Sequence, residues 1–251
     1  MLKIRKEQND ELSKVALKRF EDDMVIHIKK YFPKYYEIMG EPTVRKVIRY
    51  SIERAETYGL TTERDVCLYI NLVFLLGSNF DTDVQFPWAA ATLKDEMIKG
   101  SVIRIDKLYE IAMDYLGRVN GDNNIYLALA LRKIREVPFG EFSYAVSEDV
   151  VRKVISQLKN VWPEKCQYLG NSILHQLVQH GIKSARRYNI TGEKGLVLYI
   201  GLMFMLGSGF DNDPQFPWAT AVLRNEVLTE QSAKVERLHT EAMAFLNKWL
   251  T

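Results

Sequence analysis

The chain repeats itself. Residues 77–89 read GSNFDTDVQFPWA and residues 207–219 read GSGFDNDPQFPWA, 130 positions apart. The same offset lays Phe32-Pro33 on Trp162-Pro163, Gly40 on Gly170, and Tyr69-Ile70 on Tyr199-Ile200. Ile52, Ala55 and Tyr58 fall on Ile182, Ala185 and Tyr188, and Leu116 on Leu246. No gap is needed from residue 25 to 117. Of these 93 aligned positions 31 are identical, and 20 of the 33 from 61 to 93. A gapless offset means that every turn has kept its length. The period is far longer than a solenoid unit, so it predicts two tandem, pseudo-symmetric lobes. These span 1–120 and 148–251, with 121–147 between them.

Each lobe reads as all-α. Leu12, Val15, Ala16, Phe20, Met24, Ile28 and Tyr31 recur three or four apart and predict a first helix over 9–31 that Pro33 ends. Val44, Val47, Ile48, Ile52 and Ala55 predict a second, after Pro42 and before Gly59. Thr61-Thr62 supplies hydroxyls to cap the helix over 65–76, which is apolar nearly all round and reads as the most buried one. Gly77 suits a helix C-terminus with a left-handed backbone. Further helices are expected from Pro87 through Met97 and over 103–116. The second copy repeats the plan over 148–161, 172–188, 195–206, 217–228 and 232–250. Within 121–147, Asn124 to Val137 is apolar at helical spacing, which predicts a connecting helix through which the lobes pack. No stretch alternates with period two.

The doubled loop admits two readings. In the first it is a corner: glycine ends a helix, Asp81, Asp83, Asp211 and Asp213 cap backbone N–H groups, and Pro87 and Pro217 start the next helix. Phe80, Phe86, Trp88, Phe210, Phe216 and Trp218 are then apolar plugs. In the second it is a recognition surface. A cap needs one acid, not two, and Gln85 and Gln215 have no capping role, so Asp-x-Asp-x-Gln beside aromatics would receive a partner's basic or backbone groups. A calcium loop fails on position six, Phe86 in place of Gly, and on position twelve, Thr92 in place of Glu.

Nothing in the sequence calls for a metal, a cofactor or a catalytic group. His27, His175, His180 and His239 have no histidine at the equivalent position of the other copy, and no nucleotide, hydrolase or redox motif occurs. A helical enzyme with a dispersed site stays open as a third class. The formal net charge of +2, from 34 basic and 32 acidic residues, gives no reason to expect nucleic acid or an anionic membrane. The N-terminal stretch has no apolar region of signal-peptide type. Cys67 and Cys166 occupy non-equivalent positions, which disfavours a disulfide and points to the cytoplasm.

Tyr199-Ile200, Gly207, Phe210-Asp211, Asp213-Pro214 and Pro217-Trp218 form a Gly-x-x-Phe-Asp-x-Asp-Pro-x-x-Pro-Trp-Ala pattern after a Tyr-Ile helix. The first copy matches at Tyr69-Ile70, Gly77, Phe80-Asp81, Asp83 and Pro87-Trp88, with Val84 in place of the proline. This pattern resembles small helical proteins of Gram-negative bacteria encoded beside type VI secretion spike-tip and effector genes. The resemblance implies a protein-binding role: an adaptor or chaperone that holds a secreted effector for loading, or an immunity protein that blocks a toxin. The partner is then an effector, a toxin or a spike-tip protein.

Overall fold

A computed structural model describes residues 6–146 and 148–250, with side chains described from 14 to 249. The outermost expected lobe bounds at 1 and 251, the linker bound at 147 and the Leu12 side chain lie outside these. The described residues are helical and contain no strand. The first half runs α1 (Lys6–Tyr31), α2 (Pro33–Met39), α3 (Glu41–Glu56), α4 (Glu63–Leu76), a 3-10 turn (Phe80–Thr82), α5 (Pro87–Leu93) and α6 (Ser101–Asn120). A 3-10 turn (Asp122–Asn124), α7 (Ile125–Glu136) and another 3-10 turn (Phe139–Glu141) follow. The second half runs α8 (Val150–Val161), α9 (Pro163–Arg186), α10 (Glu193–Leu206), a 3-10 turn (Phe210–Asn212), α11 (Pro217–Leu223) and α12 (Gln231–Leu250). From α4 onward the element bounds recur at the sequence offset. One difference upstream is nominal: α9 continues through Gly170, whose φ of 73° matches the 72° of Gly40, where α2 gives way to α3.

Local chemistry explains most boundaries. Pro33 and Pro163 end one helix and open the next, because proline has no N–H to give the preceding turn and its fixed φ suits a first helical turn. The sequence reading found the stop and missed the short restart. The Thr62 hydroxyl accepts from Asp65 N at 3.2 Å and caps α4. The helices after Pro87 and Pro217 stop at Leu93 and Leu223, earlier than expected. There Lys94 and Arg224 break off into turns, where Asp95 and Asn225 accept from the N–H two residues on. The apolar stripe of α1 is buried only from its middle: Met24 and Ile28 are core, Phe20 is half-buried, and Val15 and Tyr31 face outward.

The core is a single cluster running through both halves. At its centre are α4 and α10, whose Tyr69, Ile70, Leu72, Val73, Tyr199, Ile200, Met203 and Phe204 are all buried. Fully burying a side chain of this size stabilises the fold by about 1.5–3 kcal/mol. The halves touch directly as well as through the connecting helix: α6 packs on α9, α12 on α2, and the two doubled loops meet. The α7 helix, expected to join the lobes, packs on one helix of each half, α6 and α8. Its one buried side chain is the small Ala130.

Candidate functional site

The loops at 77–89 and 207–219 lie against each other and exchange contacts in both directions. Asp213 reaches into the first loop, where its Oδ2 accepts from Ser78 N at 2.8 Å and its Oδ1 from Ser78 Oγ at 2.5 Å. Asp83 does the same in the second loop, accepting from Ser208 N at 2.6 Å and Ser208 Oγ at 2.5 Å. Each aspartate also accepts from the backbone N–H of its own Gln85 or Gln215 at 2.8 Å, closing an Asx turn. The glutamines then cross over. Gln85 Nε2 donates to Met203 O at 3.1 Å, and Gln215 Nε2 donates to Val73 O at 2.9 Å. A contact in which i meets j and j meets i is isologous, the geometry of a twofold.

Glycine permits this approach. Gly77 has φ 97° and ψ 155°, and Gly207 has φ 101° and ψ 152°. This is the extended positive-φ region open only to glycine, not the left-handed helical conformation expected from sequence. A Cβ on Gly77 would stand 2.8 Å from Leu206 O, and one on Gly207 3.3 Å from Leu76 O. Backbone crowding at the seam therefore requires glycine as much as the helix end does.

The first acid of each loop has a different task. Asp81, fully buried, takes a two-point pair from Arg54, with Nε to Oδ2 at 2.7 Å and Nη2 to Oδ1 at 3.1 Å, and a bond from Tyr58 OH at 2.8 Å. Asp211 receives Tyr188 OH and Tyr199 OH, both at 2.9 Å, and Arg187 Nη2 at 3.3 Å. Burial, with Asp81 as hydrogen-bond acceptor, pushes the Tyr58 phenol up to about 12. Burial first, and then the Asp211 charge, raises Tyr199. Asp213 is pushed up to about 6 because burial outweighs the donors from Ser78 and Gln215.

The twelve residues singled out as partner-binding are thus placed as follows. Phe80, Asp81, Asp83, Gln85, Phe86, Phe210, Asp211, Asp213, Gln215 and Phe216 are buried. Phe80 packs on Tyr69 and Phe210 on Tyr199, with ring centroids about 5 Å apart. Trp88 and Trp218 are half-buried, beside Tyr115 and Phe245 respectively. In this conformation the aspartates and glutamines spend their hydrogen bonds inside the molecule, and the loop faces the other loop rather than solvent. Sequence reasoning missed the seam donors Ser78 and Ser208, although both copies keep Gly-Ser there, and it missed Arg54 and Arg187, which lie a helix away.

Elsewhere, His27 Nε2 donates to Asn71 Oδ1 at 2.9 Å, His239 stacks on Phe139 at 4.0 Å, and His175 and His180 are exposed. Cys67 and Cys166 are both free thiols. Among the described residues no group of three or more His, Cys, Asp or Glu is placed to hold a metal ion, and no helix is long and apolar enough to cross a membrane.

The outer face of α7 differs from the seam. Ile125, Tyr126 and Leu129 are 53%, 37% and 47% exposed, three large apolar side chains within five residues. Against known proteins, neither a family model, nor a curated protein, nor a solved structure matches the chain.

Proposed function

We propose that this is a non-enzymatic, cytoplasmic protein-binding accessory of type VI secretion, an adaptor or chaperone for an effector, and that α7 rather than the doubled loop meets the partner. The resemblance carried by the Gly-x-x-Phe-Asp-x-Asp pattern supports the secretion setting. The observation that carries the binding role is the outward face of α7. Ile125 and Leu129 lie one turn apart with Tyr126 beside them, and a contiguous apolar helix face is what a partner's groove takes up.

Co-expression with the product of the adjacent effector gene, followed by pull-down, tests the proposal. A stable complex is expected, and Ile125→Ser with Leu129→Ser should weaken it by tenfold or more while leaving the melting temperature nearly unchanged. No complex with the wild-type chain, or an undiminished complex with the double variant, overturns it. Rescue of cells from the effector's toxicity would reassign the same surface to an immunity role.

A further inference from the structure

Two apolar cavities lie side by side beneath α7, of about 90 and 130 Å3, and share Met205 and Leu246 as a common wall. The helix covers both, with Ile134 over the first and Leu127 and Leu131 over the second. It is fastened at its polar side, where Lys133 Nζ donates to Asn160 O at 2.8 Å and Arg135 Nη2 to Asn247 Oδ1 at 2.6 Å.

The first cavity arises where the two copies diverge. In the first half, position 71 is a buried asparagine whose Oδ1 accepts from the half-buried His27 Nε2, so a polar pair occupies the space between α1 and α4. The equivalent positions of the second half are Gly201 and Gln157. Gly201 has no side chain, and a Cβ built on it meets nothing within 4 Å. Gln157 lines the cavity, and its Oε1 is buried without a hydrogen-bond partner. A buried acceptor left unpaired is uncommon and calls for a donor. The other wall side chains with a polar atom are Trp162, through its indole N–H, and His239, held flat against Phe139 and biased towards the neutral imidazole by desolvation. No charged side chain lines the space, so an ionised guest would be left unpaired there.

We propose that this cavity is a binding site for a small uncharged molecule, a single ring or short chain, that is apolar over most of its surface and carries one hydrogen-bond donor directed at Gln157 Oε1. At about 90 Å3 the space is smaller than the engineered apolar cavity of about 150 Å3 that admits benzene, so a single ring needs added room. The shared Met205 wall is flexible enough to yield space towards the neighbouring cavity. The site is independent of the partner-binding face, which lies on the opposite side of α7.

The test is calorimetric or NMR titration of the full chain with phenol and with toluene, which match in shape and differ in the donor. Wild-type protein should bind both. Gln157→Leu should keep toluene and lower the phenol-to-toluene affinity ratio about tenfold, the loss of one hydrogen bond. Gly201→Leu should fill the cavity and abolish both while the melting temperature holds or rises. Absence of binding to the wild type at millimolar ligand overturns the proposal. So does a ratio unchanged in Gln157→Leu, or binding undiminished in a folded Gly201→Leu. If Gly201→Leu does not fold, the Gln157→Leu ratio decides alone.

Discussion

The two halves share a sequence at the loop and differ in how they hold its first acid. In the first half the arginine stands at position 54, its side chain 30% exposed, and grips Asp81 with two nitrogens. In the second half position 184 is Ser and the arginine has moved to 187, where the first half has Thr57. Residues three apart share a helix face, so the charge still reaches Asp211, but with one nitrogen at 3.3 Å and a side chain 64% exposed. Tyr199 compensates by donating to Asp211, whereas its counterpart Tyr69 leaves its hydroxyl buried without a partner. The carboxylate is satisfied in both copies, by the equivalent Tyr58 and Tyr188 and otherwise by different donors. Divergence was tolerated in the partners and not in the acid.

That asymmetry predicts the largest effect. Arg54→Ala leaves Asp81 buried with Tyr58 alone and should cost about 3–5 kcal/mol, whereas Arg187→Ala, removing a largely exposed arginine and leaving the buried Asp211 with Tyr188 and Tyr199, should cost about 1 kcal/mol or less. Equal losses in chemical denaturation would break the comparison. The seam should behave in the opposite way. Asp83→Ala and Asp213→Ala each strand a buried serine N–H and hydroxyl and a glutamine N–H, so each should cost about 2–4 kcal/mol, alike in the two halves. A clear difference between them would show that the exchange is not reciprocal in energy. Smaller again, Gly77→Ala and Gly207→Ala should each lose about 1–3 kcal/mol from backbone strain, with Gly77→Ala the worse because its Cβ comes closer to the opposing carbonyl.

The pH dependence gives the smallest and sharpest test. Asp213 has a folded-state pKa of about 6, above the unfolded value of about 3.9, so between those values the folded chain binds more protons. Its contribution is fully present below about pH 4 and is lost as pH rises through 6. Wild type should therefore gain stability relative to Asp213→Asn when pH falls from 7 to 5, read from denaturant midpoints at the two values. Glu21 has the opposite sign. Its hydrogen bond from Arg49 holds its carboxyl below the usual range, so its contribution is present above the unfolded pKa of about 4.3 and disappears on acidification below it. A difference confined to pH below 4 would assign the effect to groups such as Glu21.

A second contrast concerns the ends of α4 and α10. Glu63 and Arg64 are exposed, whereas Glu193 and Lys194 are buried beneath the segment that follows α7. There Glu193 N donates to Ala145 O at 3.0 Å and Lys194 N to Ser143 O at 2.8 Å. Lys194 Nζ lies over the rings of Phe139 and Tyr144 and pairs with Glu236 at 2.6 Å. Thr62 caps α4 through its hydroxyl. At α10 the residue is Gly192, and Gln231 takes over by accepting from the N–H groups of Thr191 and Gly192. The lost cap is replaced by tertiary contacts that no local pattern announces.

The sequence alone determined the helical periods, the proline and glycine boundaries and the gapless duplication, because each is a property of near neighbours along the chain or of direct identity. It also placed the core helices, since α4 and α10 are apolar nearly all round. Only the tertiary structure decided what the side chains of the doubled loop contact. Asp83 finds its partner 125 residues away and Asp213 finds its own 135 residues away, separations at which the residue types carry no record of the pairing. An aspartate that receives a partner's N–H and one that receives its own fold's N–H are the same letter. Burial, set by how the halves close on each other, tells them apart.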